Sequence, residues 1–169
     1  VAGGEGAREI RKDRALLAWL RRMAPRVRRL CSVCTGSLVL GAAGLLRGYR
    51  ATTHWAYLDA LAALGAEVVD ARVVVDRDRI TGGGVTAGID TALTIAAAAV
   101  GRQVAEEIQL QLQYAPEPPF ASGHPATADA AVVAAVNERL RDLQAQRLAA
   151  ARAAAARLAA DQRAPGQSS

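Results

Sequence analysis

The chain has 169 residues, 51% of them hydrophobic but only 4% aromatic, and carries a formal charge of +5. That length suffices for one domain with its own core. No apolar run reaches the ~18 residues of a membrane span, and the opening Val1-Ala2-Gly3-Gly4 lacks the basic-then-apolar pattern of a secretory leader, so the chain reads as cytoplasmic with no membrane partner.

In chain order, Val1-Ala2-Gly3-Gly4-Glu5-Gly6 reads as the end of a strand entering a glycine turn. Residues 15–23 place Leu16, Leu17 and Leu20 on one side and arginines on the other, an amphipathic helix that Pro25 stops. Nine basic residues fall between Arg8 and Arg29. No aromatics interleave with them and no DNA-binding motif is visible, so they read as a solvated helix face with no nucleic-acid partner. Residues 30–33 are a short apolar run, read as a central strand. Residues 36–46 are helical, closed by Gly48. A strand at 51–53, a helix at 55–64 ending at Gly65, and two strands at 73–75 and 79–81 follow, the last two joined by a turn at Asp76-Arg77-Asp78. Gly82-Gly83-Gly84 leads into a helix over 88–100. Gly101 breaks it from a second helix over 103–113, which Pro116, Pro118 and Pro119 end.

Beyond this, 127–143 has helical apolar spacing. Residues 148–160 are nearly all alanine and arginine, with strong helix propensity but few large side chains. They read as an exposed extension that frays. The tail 164–169 reads as disordered. The expected domains are therefore an α/β domain over 1–126, a helical extension over 127–163 and the tail. Alternating strands and helices predict a mostly parallel sheet flanked by helices.

Chemistry concentrates at Ser32-Val33-Cys34-Thr35-Gly36-Ser37. A strand ends and a helix begins within two or three residues, and small residues flank the cysteine. This is the pattern of a nucleophile turn. A sharp turn lifts the side chain clear of the sheet, and the helix start directs N–H groups toward the sulfur, which favours thiolate. Cys31 and Cys34 form C-x-x-C, a spacing used in redox and zinc sites. No second Cys/His pair completes a zinc site, so no metal is expected, and Cys31 reads as a small buried strand residue.

The segment from Ser32 through Leu46 resembles the elbow and helix of DJ-1/PfpI proteins. Ala51-Thr52-Thr53-His54-Trp55, Arg72-Val73-Val74 and Gly82-Gly83-Gly84-Val85-Thr86-Ala87-Gly88-Ile89-Asp90 resemble the family's following blocks, in order. Gln109-Leu110-Gln111-Leu112 and Tyr114-Ala115-Pro116-Glu117-Pro118-Pro119-Phe120 resemble the closing block of the isonitrile hydratase subgroup. The resemblance implies a flavodoxin-like homodimer that hydrates an isonitrile to an N-substituted formamide with no cofactor. It assigns Cys34 as nucleophile, Thr35 as a hydrogen-bonding partner of the intermediate, Gly3 and Gly4 with the Thr35 N–H to developing negative charge, and places His54 near the cysteine, where it either tunes the thiolate or relays a proton, or serves as an orienting or interface histidine. Thr35 stands where protease-like members carry histidine, which argues against a peptidase. The resemblance also implies an acidic residue and further strands upstream of residue 1, on roughly 50–70 residues. AraC-type regulators with DJ-1-like ligand-sensing domains share the Cys-x-Gly and Ala-Thr-x-His-Trp signatures. They and DJ-1-type stress proteins are the alternative readings.

Overall fold

The computed structural model describes residues 1–7 and 13–163. Arg8, Arg11 and Lys12 of the basic cluster and the tail 164–169 lie outside the described residues.

The first full helix, α1 (Arg14–Met23), starts where Asp13 accepts the Leu16 N–H at 3.0 Å, and it buries Leu17 and Leu20. A single 3-10 turn, Ala24–Arg26 with Pro25 in its first positions, ends it. Strand β1 (Leu30–Val33) follows and runs directly into helix α2 (Gly36–Ala42). All seven residues of α2 are buried, as expected of a short helix apolar on every side. It is enclosed by α1, by helix α3 (Leu58–Ala63) and by a long C-terminal helix. Leu38, Val39, Leu40, Leu46, Leu61 and Leu64 form the centre of the core.

The sheet grows from β1. Strand β5 (Arg79–Gly82) pairs with it in parallel, Leu30 opposite Arg79 and Val33 opposite Gly82. Strand β4 (Val73–Asp76) pairs with β5 in antiparallel fashion, turning at Arg77, whose φ is +53°. On its other side β1 meets Val1, which donates to the Cys31 carbonyl at 2.7 Å and accepts from the Val33 N–H at 3.1 Å. Hydrogen bonds on both edges make β1 the interior strand that its apolar sequence predicts. A second small sheet pairs β2 (Arg50–Ala51) and β3 (Glu67–Val68) in parallel. The two-residue β3 was not among the predicted strands, and the predicted helix at 55–64 is split into a 3-10 turn, Trp55–Tyr57, and α3.

Helices α4 (Ala87–Val100) and α5 (Arg102–Gln111) pack on each other across Gly101, whose φ of +100° allows the break. The last helix, α6 (Ala130–Arg163), is continuous over 34 residues, about 50 Å at 1.5 Å per residue. Here the structure corrects the expectation of an exposed, fraying extension. Ala151 and Ala154 are buried against α2 and α3, Leu158 reaches Gly44, and Arg147 is only 4% exposed. Alanine's small side chain lets the helix backbone approach closely, so burial here needs no large residue. None of the described helices is long and apolar enough to cross a membrane.

Candidate active site

Cys34 sits between β1 and α2 with φ +57°, a left-handed conformation that costs a non-glycine residue about 1 kcal/mol or more. The surroundings hold it there. The Cys34 N–H donates to the Gly82 carbonyl at 3.0 Å, and its carbonyl accepts from the Thr53 hydroxyl at 2.8 Å and from the Ser37 N–H at 3.3 Å. Glycines let backbone press against the turn. A Cβ on Gly36 would lie 2.3 Å from the Val1 carbonyl oxygen, and one on Gly3 would lie 2.6 Å from Thr35 N and 2.9 Å from Cys34 Cβ.

Beneath the elbow runs a chain of buried hydroxyls. Ser37 donates to the Thr52 carbonyl at 2.7 Å, so the 2.8 Å contact between Ser32 and Ser37 has Ser32 as donor. The Thr52 N–H in turn donates to the Thr81 hydroxyl at 2.9 Å. These bonds tie the β1–α2 turn to the segment that follows β2 and to β5, each contributing about 1 kcal/mol net.

Thr35 is buried, and its hydroxyl oxygen accepts the Gly4 N–H at 3.0 Å. That bond occupies the Gly4 N–H and leaves the Thr35 hydroxyl proton for another acceptor. The N–H groups of Thr35 and Gly36, at the start of α2, donate to none of the described residues. Gly3 packs its backbone on Thr35 and Cys34. The expected group Cys34, Thr35, Gly3 and Gly4 is thus brought together. Cys31, one strand position past Leu30, is half-buried rather than enclosed, and burial raises its thiol pKa above the ordinary value. Both cysteines are free thiols.

His54 lies on the adjoining turn. Its Nδ1 accepts the Ala56 N–H at 3.2 Å, so the neutral ring carries its proton on Nε2. The ring stacks on Trp55 and lies 5.5 Å from Tyr57. Burial, and secondly the positive charge of Arg147, lower its pKa. His54 and Thr53 line a pocket of about 640 Å³ with Trp55, Arg72, Val85 and Phe120. That size suits a small organic molecule. Its rim is pinned by His124, whose Nδ1 accepts the Ala126 N–H and whose Nε2 therefore donates to Asp70 at 3.1 Å. Cys34 does not line the pocket, but Thr53 does, and Thr53 bonds the Cys34 carbonyl. No three His, Cys, Asp or Glu side chains among the described residues gather in a way that holds a metal ion.

Sequence reasoning missed Ser37, Thr53 and Arg147. The Thr52-Thr53 doublet was a usable signal, because two threonines beside a predicted nucleophile turn are candidates for holding its backbone. Arg147 gave none, since it lies among many arginines of solvent-facing type.

The fold and the site define an α/β domain that presents a cysteine on a strained strand-to-helix elbow. The sequence profile of the DJ-1/PfpI family matches residues 1–98. The chain belongs to that family. It is 56% identical over 139 residues to the isonitrile hydratase of Pseudomonas putida, an alignment covering 82% of this chain and 61% of the hydratase. The HTH-type transcriptional regulator CdhR of Pseudomonas aeruginosa is 40% identical over 113 residues, 66% of this chain and 33% of the regulator. Among solved structures, a ThiJ/PfpI family protein from Pseudomonas syringae superposes with a TM-score of 0.85 at 45% identity, covering 88% of this chain and 62% of that one. The chain therefore spans about three-fifths of the hydratase's length. Its fold is the flavodoxin-like α/β fold of this family.

Proposed function

We propose that this chain carries the nucleophile of an isonitrile hydratase-like enzyme acting on a small-molecule isonitrile. The observation that carries the reading is the 56% identity to the Pseudomonas putida isonitrile hydratase across 82% of the chain, a span long enough to include the Cys34 elbow. In the proposed reaction the Cys34 thiolate attacks the terminal carbon of R–N≡C, forming a C–S bond. The carbon takes a proton, giving the thioimidate R–N=CH–S–Cys34. Water adds to that carbon while nitrogen takes a proton, and the C–S bond then breaks. The products are R–NH–CHO and the regenerated thiol, so the net change is addition of one water.

The Thr35 hydroxyl and N–H are the donors placed to meet charge developing beside the sulfur. Gly4 acts through Thr35 by orienting its hydroxyl, and the Gly3 backbone shapes the same wall. His54, held neutral, supplies an Nε2–H to the adjoining pocket, which receives the substrate's R group. The carboxylate of Glu5 faces Arg147 at 3.5 Å, so the first proton is assigned to another acid, as in the family pattern. We read the protein as a cytoplasmic homodimer without bound cofactor or nucleic acid. The two free thiols support a reducing compartment, and the exposed Ile89, Val100 and Leu110 support burial against a second copy.

Cys34→Ser is the test. In a version extended to the hydratase's full length, it should abolish formamide formation while Cys31→Ser keeps most of it. Equal losses from the two changes would point to a paired-cysteine site instead.

One observation favours a second reading. The 640 Å³ pocket is lined by Trp55, Phe120 and Arg72 but not by Cys34, which suits a ligand-sensing domain like that of a transcription regulator. Small-molecule binding that survives Cys34→Ser, with no isonitrile turnover in the wild type, would decide for it.

A further inference from the structure

Among the arginines of this chain, Arg147 stands apart. It is 4% exposed and sits in α6, the helix that packs on the His54–Tyr57 turn. Its guanidinium lies over the Tyr57 ring at 4.0 Å and reaches Glu5 at 3.5 Å. Its Nε is buried with no hydrogen-bond partner among the described residues, a cost of about 1–3 kcal/mol. A buried cation with an unused N–H is not the choice that packing alone would make.

The geometry gives it a second purpose. Glu5 follows Gly4, whose N–H holds the Thr35 hydroxyl. Tyr57 touches the His54 ring. One guanidinium therefore contacts the end of each of the two turns that flank Cys34. We propose that Arg147 is a positioning residue that clamps the Gly3-Gly4-Glu5 turn against the His54–Tyr57 turn, fixing the donor on Thr35 and the orientation of the His54 ring. This rests on the reading of Cys34 as nucleophile. The charge of Arg147 also acts on His54, lowering its proton affinity in addition to burial. The other charged or titratable groups near that ring are Tyr57 on its own turn and Asp70, Arg72 and His124 across the pocket. Arg72 is paired with Asp90, and His124 with Asp70.

The test uses the full chain with labelled histidine and does not depend on turnover. The His54 titration and the exchange rate of the Gly4 amide are followed by NMR in wild type, Arg147→Met, Arg147→Lys and Glu5→Gln. Arg147→Met should move the His54 titration upward toward that of a free imidazole and speed Gly4 exchange about tenfold. Arg147→Lys, which keeps the charge, should restore the His54 titration. Glu5→Gln should speed Gly4 exchange while leaving the ring stacked on Trp55. Arg147→Met that folds, with both readouts at wild-type values, overturns the proposal, as does a loss of melting temperature alone. Should Arg147→Met not fold, Glu5→Gln decides: faster Gly4 exchange supports the clamp and unchanged exchange overturns it. Failure of the hydratase reading would appear separately, as a wild type that makes no formamide whatever the NMR result.

Discussion

Replacing Gly3 by alanine tests the account of the elbow directly. A Cβ there would sit 2.6 Å from Thr35 N, 2.8 Å from Thr35 Oγ1 and 2.9 Å from Cys34 Cβ. Two of these atoms belong to the elbow itself, whose position is set by the bonds from Cys34 N–H to Gly82 and from the Thr53 hydroxyl to the Cys34 carbonyl. The third is the hydroxyl that Gly4 holds. The Gly3 turn must therefore move outward. Overpacking of this kind costs about 1–3 kcal/mol, and losing the Gly4–Thr35 hydrogen bond adds about 1 kcal/mol. The total is about 2–4 kcal/mol. For a domain of this size that is a fall in melting temperature on the order of 10 °C. Gly6→Ala is the control: no atom of the described residues, its chain neighbours and own helix backbone aside, lies within 4 Å of its added Cβ and its φ is not positive, so it should be neutral or slightly stabilising. Thermal melts of the two variants, with the alkylation rate of Cys34 measured alongside, make the comparison. A Gly3→Ala protein that melts with the wild type and alkylates at the same rate would refute the close packing on which the site description depends.

Three further outcomes are expected. Ser37→Ala breaks both links of the hydroxyl chain and strands the Ser32 donor and the Thr52 carbonyl in the core, costing about 2 kcal/mol in urea unfolding. Adding Ser32→Ala should recover part of that loss, because the orphaned donor is gone. The pKa of His54 is lowered in the folded protein, so its contribution to stability is complete above the ordinary value of 6.5 and is lost as pH falls through the lower folded value. The urea midpoint should drop less steeply between about pH 7.5 and 5.5 in His54→Gln than in wild type, and parallel profiles would remove His54 from the account. On the proposed hydratase reading, formamide production should survive exhaustive chelation, and loss on chelation with recovery on adding zinc would defeat the cofactor-free mechanism that reading entails.

The elbow was legible in the sequence because its physics is local. An apolar run, a cysteine and a glycine that must lie under another chain segment leave one way to turn from strand to helix. The glycine breaks at Gly65 and Gly101 were legible for the same reason, since each carries a positive φ. Strand β3 was not, because Glu67 and Val68 offer no alternation to read and pair only through tertiary contact with β2. The docking of α6 was hidden by composition. Its buried positions are alanines and one arginine, residue types that also fill the solvent side of the same helix. The hydroxyl chain beneath Cys34 was hidden because serine and threonine look alike in sequence whether they face water or each other. Thr35 was assigned to the site, but its bond with Gly4 joins residues 31 positions apart, beyond any local pattern.

Helix α6 behaves as a phased rod. Arg147, Ala151, Ala154 and Leu158 follow one another at steps of four, three and four, which keeps them on one stripe facing Tyr57, the core and Gly44. A single residue spliced in between Arg147 and Ala151 would rotate everything beyond it by about 100° and put Arg157 in the place of Leu158, whereas a four-residue splice would leave the stripe within about 40° of its seat. Length variation in this helix is therefore constrained by angle rather than by distance, and the guanidinium over Tyr57 holds its bearing only while the alanines further along the helix hold theirs.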